Sequence, residues 1–347
     1  MENSDTNNDQ VRGEVKIFDI GDLKLQSGMT LKSARIVAKI FGSPNNPCIV
    51  FPTWYSGTHE DNEWLIGGDK TLNPSKYFIV IFNMFGNGLS SSPSNQPEPY
   101  NGPRFPNVTL YDNIKAQHKV LTEYLNIKEV ECVLGWSMGA QQSFQWAAQF
   151  PDLVKSIVPF CGSAKTSLHN VVFLEGPKSA LMADSAFTDG WYKYPPTKGL
   201  RAFARVYAGW GFSQAFYREK IYETDLGFGS LEDFLVGFWE GYFLKKDANN
   251  LLCQLWTWQH GDISANELYN YNFEKALNAI TARAIVMPGS HDLYFPPEDS
   301  QVEVKLMPNA KFVAIPSIWG HWAGGPGTNP TDVQFIDNVL KDFLLRH

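Results

Sequence analysis

The chain has 347 residues, 44% of them hydrophobic, so it can bury the core of one large α/β domain or of two domains. Its formal net charge is −7 at pH 7 without a basic run, which argues against binding to nucleic acids or to anionic membrane surfaces. No apolar stretch reaches the roughly 18 residues of a transmembrane helix. The polar start, residues 1–12, resembles neither a signal nor a transit peptide and is predicted to be disordered, which predicts a cytoplasmic protein.

Two kinds of strand pattern follow in chain order. Alternating apolar and polar residues, which predict an antiparallel entry meander, occupy residues 14–19, 23–26 and 34–41. Continuous apolar runs occupy residues 48–51, 78–82, 130–134, 157–160 and 284–287. Such runs are typical of parallel strands covered on both faces. Helical patterns, notably 112–125 and 140–150, separate several of them, so the sequence predicts a mostly parallel, doubly wound α/β sheet.

Residues 166–279 interrupt this alternation, because they show helical periodicity but no clear core strand. They are rich in aromatic residues, among them Tyr207, Trp239 and Trp258. We interpret them as a helical cap inserted into a core of residues 13–165 and 280–347. Most of the aromatic side chains are expected to pack the cap together, and the others to face the cleft or a partner subunit.

The sequence Gly-Trp-Ser-Met-Gly at residues 135–139 lies between a predicted strand and a predicted helix. Strand, Gly-x-Ser-x-Gly and helix together form the nucleophile elbow. The turn is so tight that a Cβ at Gly135 or Gly139 would collide with neighbouring backbone. Ser137 is therefore the candidate nucleophile. A chance match in an ordinary turn is the alternative, and the flanking strand and helix argue against it.

A serine hydroxyl needs a base, and the base needs an orienting acid; in this arrangement the chain order is Ser, acid, His. Asp292 follows the run 284–287, and His321 follows a further predicted strand at 311–315, so both lie at the same sheet edge as Ser137. Asp299 is the alternative acid, but a Pro-Pro-Glu run places it in the next helix. The remaining histidines fit the order or the position less well: His59, His118, His169, His260, His291 and His347.

An oxyanion hole requires two backbone N–H groups. Met138, directly after the nucleophile, is expected to supply one. The loop after residues 48–51 is expected to supply the other, from Trp54 or, as second choice, from Tyr55, since Pro52 has no N–H.

With these residues in place, the chain resembles the homoserine O-acetyltransferases and their relatives within the α/β-hydrolase fold. The stretches that carry the resemblance are residues 27–42, 104–109, 136–142 and 289–297. It implies a Ser137–His321–Asp292 triad, oxyanion donors at Trp54 and Met138, and acyl-enzyme chemistry. It also implies a homodimer through the cap and a substrate-binding Tyr217–Arg218 pair. We add Tyr55 and Trp322 as candidate substrate-binding residues.

The departures from that family bear on the substrate. Trp136 and Ala140 stand where the transferases usually carry glycine. Trp322 stands where they carry an Asp implied to hold the homoserine amine, and an indole cannot pair with an ammonium as a carboxylate does. Residues 245–249, Lys-Lys-Asp-Ala-Asn, resemble a family segment that begins with Arg. These differences predict a bulkier, more apolar acyl substrate.

The expected function is acyl transfer through an acyl-Ser137 intermediate, from an ester or a thioester, acyl-CoA or carrier-bound, to a hydroxyl or to water. The alternatives are a thioesterase or esterase that releases or lactonises a polyketide-like chain, and a true homoserine O-acetyltransferase. A non-catalytic binding module is a further alternative, against which the intact triad argues. No bound cofactor or metal is predicted: Cys48, Cys132, Cys161 and Cys253 are scattered and are expected to be reduced, buried thiols. The expected partners are a small-molecule acyl donor and acceptor.

Overall fold

The computed structural model describes residues 12–345, whose strands form one sheet in the order β1-β2-β4-β3-β5-β6-β7-β8. The strand bounds are β1 Glu14–Lys24, β2 Thr30–Phe41, β3 Cys48–Val50, β4 Phe78–Phe82, β5 Cys132–Trp136, β6 Ser156–Phe160, β7 Arg283–Val286 and β8 Ala310–Phe312. The predicted disordered tail, residues 1–12, lies outside the described residues except for Arg12, and His347 lies outside them too.

The entry region is a two-stranded hairpin, so the predicted three-segment meander is wrong in one respect. The segment 14–19 and the first two residues of 23–26 belong to a single strand, β1, which pairs antiparallel with β2. The register shifts at Gly21, which adopts a φ of +71°. This irregularity interrupts the apolar alternation without ending the strand, which is why the pattern suggested two strands.

β2 also pairs antiparallel with β4. From β4 to β8 in the sheet order all pairs are parallel, as the continuous apolar runs predicted. Every residue of β3 to β6 is buried, because helices cover both faces of the sheet. The predicted strand 130–134 begins later, at Cys132, and continues to Trp136, where it pairs with Phe160. This fold is the α/β sheet that the sequence predicted.

Twelve α-helices occur within the described residues, and most of them lie between β6 and β7. Their bounds are α1 Leu110–Lys119, α2 Met138–Gln149, α3 Leu168–Met182, α4 Thr197–Gly211, α5 Gln214–Arg218, α6 Ile221–Thr224, α7 Leu231–Phe234, α8 Gly241–Phe243, α9 Ala248–Gln259, α10 Phe273–Asn278, α11 Pro297–Leu306 and α12 Pro330–Leu344. None of the helices in residues 12–345 is long and apolar enough to cross a membrane.

The helical insertion joins the sheet through a short paired stem. Thr166 N–H donates to the Gly261 carbonyl at 2.8 Å, and Ile263 N–H donates to the Ala164 carbonyl at 3.1 Å. After this stem, Tyr269 and Leu277 pack in the same apolar cluster as α1 and α2. Residues 262–279, which the sequence assigned to the cap, therefore pack on the core side of the stem.

Most of the aromatic side chains of the cap are buried against one another and against the core. Phe203, Phe212, Phe216, Trp239 and Trp258 are each at most 1% exposed. Trp191 and Tyr194, in contrast, are 47% and 70% exposed. The four cysteines are free thiols, three of them buried and Cys253 half-buried.

The connection between β5 and α2 leaves no room for side chains at its two glycines. A Cβ on Gly135 would lie 2.3 Å from the backbone of Gly139, and one on Gly139 would lie 2.7 Å from the Pro52 carbonyl oxygen. Helix α2 can therefore begin directly at the strand end and approach the loop after β3.

Gly135→Ala should lower the free energy of unfolding by about 1–3 kcal/mol or more, because its Cβ forces backbone apart in a packed core. Gly209→Ala is the matched control, since a Cβ on the exposed Gly209 of α4 meets nothing within 4 Å. That change should stabilise the protein by about 0.5–1 kcal/mol. Urea unfolding followed by circular dichroism measures both, and equal stability of the two variants would contradict the close approach.

Candidate active site

Ser137 lies on strained backbone at the junction of β5 and α2. Its φ and ψ are 58° and −123°, in a region that non-glycine residues rarely adopt. The Ser137 N–H donates to the Phe160 carbonyl of β6 at 3.0 Å, and the residue is only 2% exposed. The strand end, the helix start and the neighbouring strand thus fix its orientation.

The structure brings Ser137, His321 and Asp292 into one hydrogen-bonded chain. His321 Nε2 lies 2.9 Å from Ser137 Oγ, and His321 Nδ1 lies 2.8 Å from Asp292 Oδ2. All three side chains are buried. Since an ionised carboxylate can only accept, Nδ1 carries the proton and Nε2 accepts from the serine hydroxyl.

The acid is held by its own loop after β7. Asp292 Oδ1 accepts the N–H groups of Tyr294 at 2.8 Å and Phe295 at 3.1 Å. The acid loop and the base loop meet at Gly289, where a Cβ would lie 2.8 Å from the Gly320 carbonyl oxygen. This contact places Asp292 beside His321 although they are far apart in the chain.

The alternative candidates for the acid and the base have other partners and do not belong to the Ser137–His321–Asp292 chain. Asp299 is in the first turn of α11, where burial raises the pKa of its carboxyl. His291 lies within hydrogen-bonding distance of Ser290 Oγ and the Ser317 carbonyl, at 3.0 and 3.1 Å. His118 stacks on Phe150, with ring centroids 3.8 Å apart.

Trp136 contacts the base twice, which sequence reasoning missed. Its indole Nε1 donates to the His321 carbonyl at 3.1 Å, and its ring stacks on the imidazole at a centroid distance of 4.9 Å. Tyr294 packs edge-on against the same imidazole at 4.7 Å. The only signal in the sequence was that a tryptophan replaces the glycine usual in the resembled family.

The predicted oxyanion donors lie around the elbow. The loop from Pro52 is held by two hydrogen bonds: Thr53 N–H donates to the Phe82 carbonyl at 2.9 Å, and Gln142 Nε2 donates to the Thr53 carbonyl at 2.8 Å. Within residues 12–345, neither Met138 nor Trp54 uses its N–H in a hydrogen bond, and the same holds for the second choice, Tyr55. These N–H groups are therefore available to bind a developing oxyanion.

A cavity of about 10 Å³, roughly the room for one water molecule, lies at Ser137 and His321. Its other lining residues are Trp54, Tyr55, Ser56, Trp136, Tyr207, Tyr242, Phe243 and Trp322. Two predicted substrate-binding residues, Tyr55 and Trp322, are among them. This is far below the roughly 300–1,000 Å³ of sites for drug-sized ligands, so side chains must move to admit a substrate and a small, largely apolar group requires the least movement.

The other predicted pair, Tyr217 and Arg218, does not reach this cavity. The Tyr217 hydroxyl donates to the Ala208 carbonyl of α4 at 2.6 Å, and the Arg218 side chain is exposed. Helix α5 is short and packs Tyr217 against α4, and neither residue lines the cavity at Ser137. Tyr207, Tyr242 and Phe243 line the cavity instead, and no local motif marks them.

Comparison with known proteins shows the family to which the chain is similar. A family model described as alpha/beta hydrolase fold matches residues 49–326. The chain is 39% identical to an ethyl acetate hydrolase of Pseudomonas veronii, over 94% of this chain and 93% of that protein. It is 30% identical to a homoserine O-acetyltransferase of Nostoc punctiforme, over 86% of this chain and 88% of that protein, which confirms the resemblance predicted from the motifs.

A solved structure of the acetyl esterase MekB superimposes on the chain with a TM-score of 0.93. The two share 38% sequence identity, and the match covers 98% of each chain. The likeness thus extends over the sheet and the helical insertion together.

Asp292→Asn should slow phosphonylation of Ser137 by a fluorophosphonate by about 10³–10⁴-fold, since an asparagine no longer holds the imidazole in the required tautomer. Asp299→Asn is the matched control and should react close to the wild-type rate. Intact-mass spectrometry over time measures both. A larger loss in Asp299→Asn would show that the acid is assigned to the wrong residue.

Proposed function

The chain belongs to the α/β-hydrolase-fold family, and we propose that it is a serine esterase that hydrolyses esters with a short acyl group, acetate esters above all. The observation that carries the proposal is a very small cavity, about 10 Å³ and walled by aromatic side chains, directly at the Ser137–His321 hydrogen bond. The likeness to an ethyl acetate hydrolase and to an acetyl esterase supports the same substrate class.

The mechanism begins with attack of Ser137 Oγ on the acyl carbonyl. His321 Nε2 takes the serine proton, and Asp292 stabilises the imidazolium that results. The carbonyl oxygen becomes an oxyanion, which the N–H groups of Met138 and of Trp54 or Tyr55 bind. Helix α2 begins at Met138, so its positive N-terminal end also faces this charge.

The tetrahedral intermediate collapses when His321 returns the proton to the leaving alkoxide, which releases the alcohol and leaves an acyl-Ser137 ester. Water then enters, and His321 removes one of its protons as it attacks the acyl carbonyl. Collapse of the second intermediate restores the Ser137 hydroxyl and releases the acid. Each proton that His321 takes is given back in the same half-reaction, so no cofactor is needed.

The size of the cavity favours a short acyl group over the bulkier acyl substrate that the departures from the transferases predicted. Phe203, Phe212 and Trp239 fill the inside of the cap and leave little space above Ser137. Trp322 contributes a further wall, 8% exposed and packed 5.2 Å from the ring of Phe212. A long acyl chain would have to displace these side chains.

Transfer of the acyl group to an alcohol is the second candidate, because the likeness to a homoserine O-acetyltransferase supports it. It uses the same acyl-Ser137 intermediate and differs only in the acceptor. The enclosed, largely apolar walls limit the number of water molecules near the acyl-enzyme. A bound alcohol would therefore be favoured over water as the acceptor of the acyl group.

For the wild type, kcat/KM should fall at least about tenfold from p-nitrophenyl acetate to the octanoate ester, since overpacking a tight cavity costs about 1–3 kcal/mol. Ser137→Ala should lower kcat by about 10⁴–10⁶-fold with unchanged circular dichroism. Initial rates of p-nitrophenol release give both results. Preference for the octanoate would refute the short-chain assignment, and activity of Ser137→Ala near wild type would refute the acyl-enzyme.

Homoserine should be a poor acceptor from acetyl-CoA, because Trp322 offers its ammonium no carboxylate. A lost charge-assisted hydrogen bond costs about 1.5–3 kcal/mol, which is roughly a ten- to hundredfold loss in kcat/KM. Trp322→Asp should raise acetylation of homoserine relative to the matched variant Trp322→Phe. Chromatography of O-acetylhomoserine measures the product, and efficient acetylation by the wild type would contradict this reading of Trp322.

A further inference from the structure

The main chain of Ser56 is bound by the cap from both sides. Its N–H donates to Gln254 Oε1 of α9 at 2.7 Å. Its carbonyl accepts from Lys246 Nζ at 2.7 Å and from the Tyr242 hydroxyl at 3.2 Å. The Tyr242 hydroxyl also lies 3.0 Å from Ser56 Oγ. A residue of the core loop after β3 thus has its polar backbone groups satisfied by side chains of the cap.

Ser56 needs such support. Its φ is +62°, in the left-handed region that costs a non-glycine residue about 1–3 kcal/mol unless the surroundings enforce it. The bond from Lys246 has a charged donor, which makes it stronger than a neutral one. The Lys246 ammonium is further held over the Tyr242 ring, 4.5 Å from its centroid.

The two residues before Ser56 carry the candidate oxyanion donors. Trp54 and Tyr55 lie between Thr53, which β4 and α2 hold, and Ser56, which the cap holds. The Tyr55 hydroxyl adds a further link to the cap, since it donates to the Leu251 carbonyl at 3.2 Å. The segment is therefore anchored by the core at one end and by the cap at the other.

We propose that Lys246 and Gln254 are positioning residues for the oxyanion hole: through Ser56 they set the direction of the backbone N–H groups at residues 54 and 55. The cap then contributes to transition-state stabilisation as well as covering the cavity. The inference rests on the proposed acyl-enzyme function and assigns a role to the lysine-containing segment 245–249.

The test compares Lys246→Met with the control variant Lys245→Met. Lys245 is the neighbouring lysine, and its side chain is exposed. Gln254→Met removes the acceptor of the Ser56 N–H, and Lys246→Arg restores a charged donor. Removing one oxyanion donor outright costs about 10²–10³ in kcat. We expect Lys246→Met and Gln254→Met to lose about ten- to hundredfold in kcat with little change in KM.

Lys245→Met should keep the wild-type kcat, and Lys246→Arg should recover most of the loss. Circular dichroism and urea unfolding monitor the fold of each variant. The rate of Ser137 phosphonylation by a fluorophosphonate supplies a second readout, because that reaction uses the same oxyanion hole whatever the natural substrate. It should fall in parallel with kcat.

Wild-type rates of hydrolysis and phosphonylation in folded Lys246→Met and Gln254→Met would overturn the positioning role, and so would a change confined to KM. A wild type that is phosphonylated at Ser137 but hydrolyses no acetate ester would overturn the proposed function instead. The phosphonylation rates of the variants would still decide the role of Lys246 and Gln254.

Discussion

The site depends on the close approach of β5, α2 and the loop after β3, which only glycine permits at residues 135 and 139. This approach turns the chain within a few residues and leaves Ser137 on strained backbone at the strand end. It also places the start of α2 against Pro52, so that Met138 and the loop with Trp54 lie side by side. The nucleophile and the proposed oxyanion donors thus follow from one packing constraint.

The base and the acid are held by a different kind of contact. Their loops follow β7 and β8, and the parallel pairing of these strands brings both loops to the edge where Ser137 lies. Hydrogen bonds from the Tyr294 and Phe295 backbone amides fix Asp292. Trp136 fixes His321, because its ring stacks on the imidazole and its indole N–H donates to the His321 carbonyl. The result is a buried chain of hydrogen bonds in an aromatic environment, where electrostatic interactions are stronger than in water.

The helical insertion completes the site. Tyr207, Tyr242 and Phe243 of the cap close the cavity, and Lys246 and Gln254 bind the loop that carries the candidate oxyanion donors. Core and cap therefore share the cavity wall. A small cavity results because large aromatic side chains from both parts meet there.

Short sequence patterns and their order along the chain were enough to predict the sheet, the elbow at Ser137 and the pairing of Asp292 with His321. These features depend on residues close together in the chain or on their order. They are the periodicity of the strands, the turn that only glycine allows and the succession of loops along a parallel sheet. The tertiary structure alone decided the contacts of Trp136, Lys246 and Gln254. It also decided that Tyr217 and Arg218 do not line the cavity. Both outcomes depend on how helices distant in sequence pack on one another, and the aromatic content of the cap does not reveal whether a ring lines a cavity or fills it.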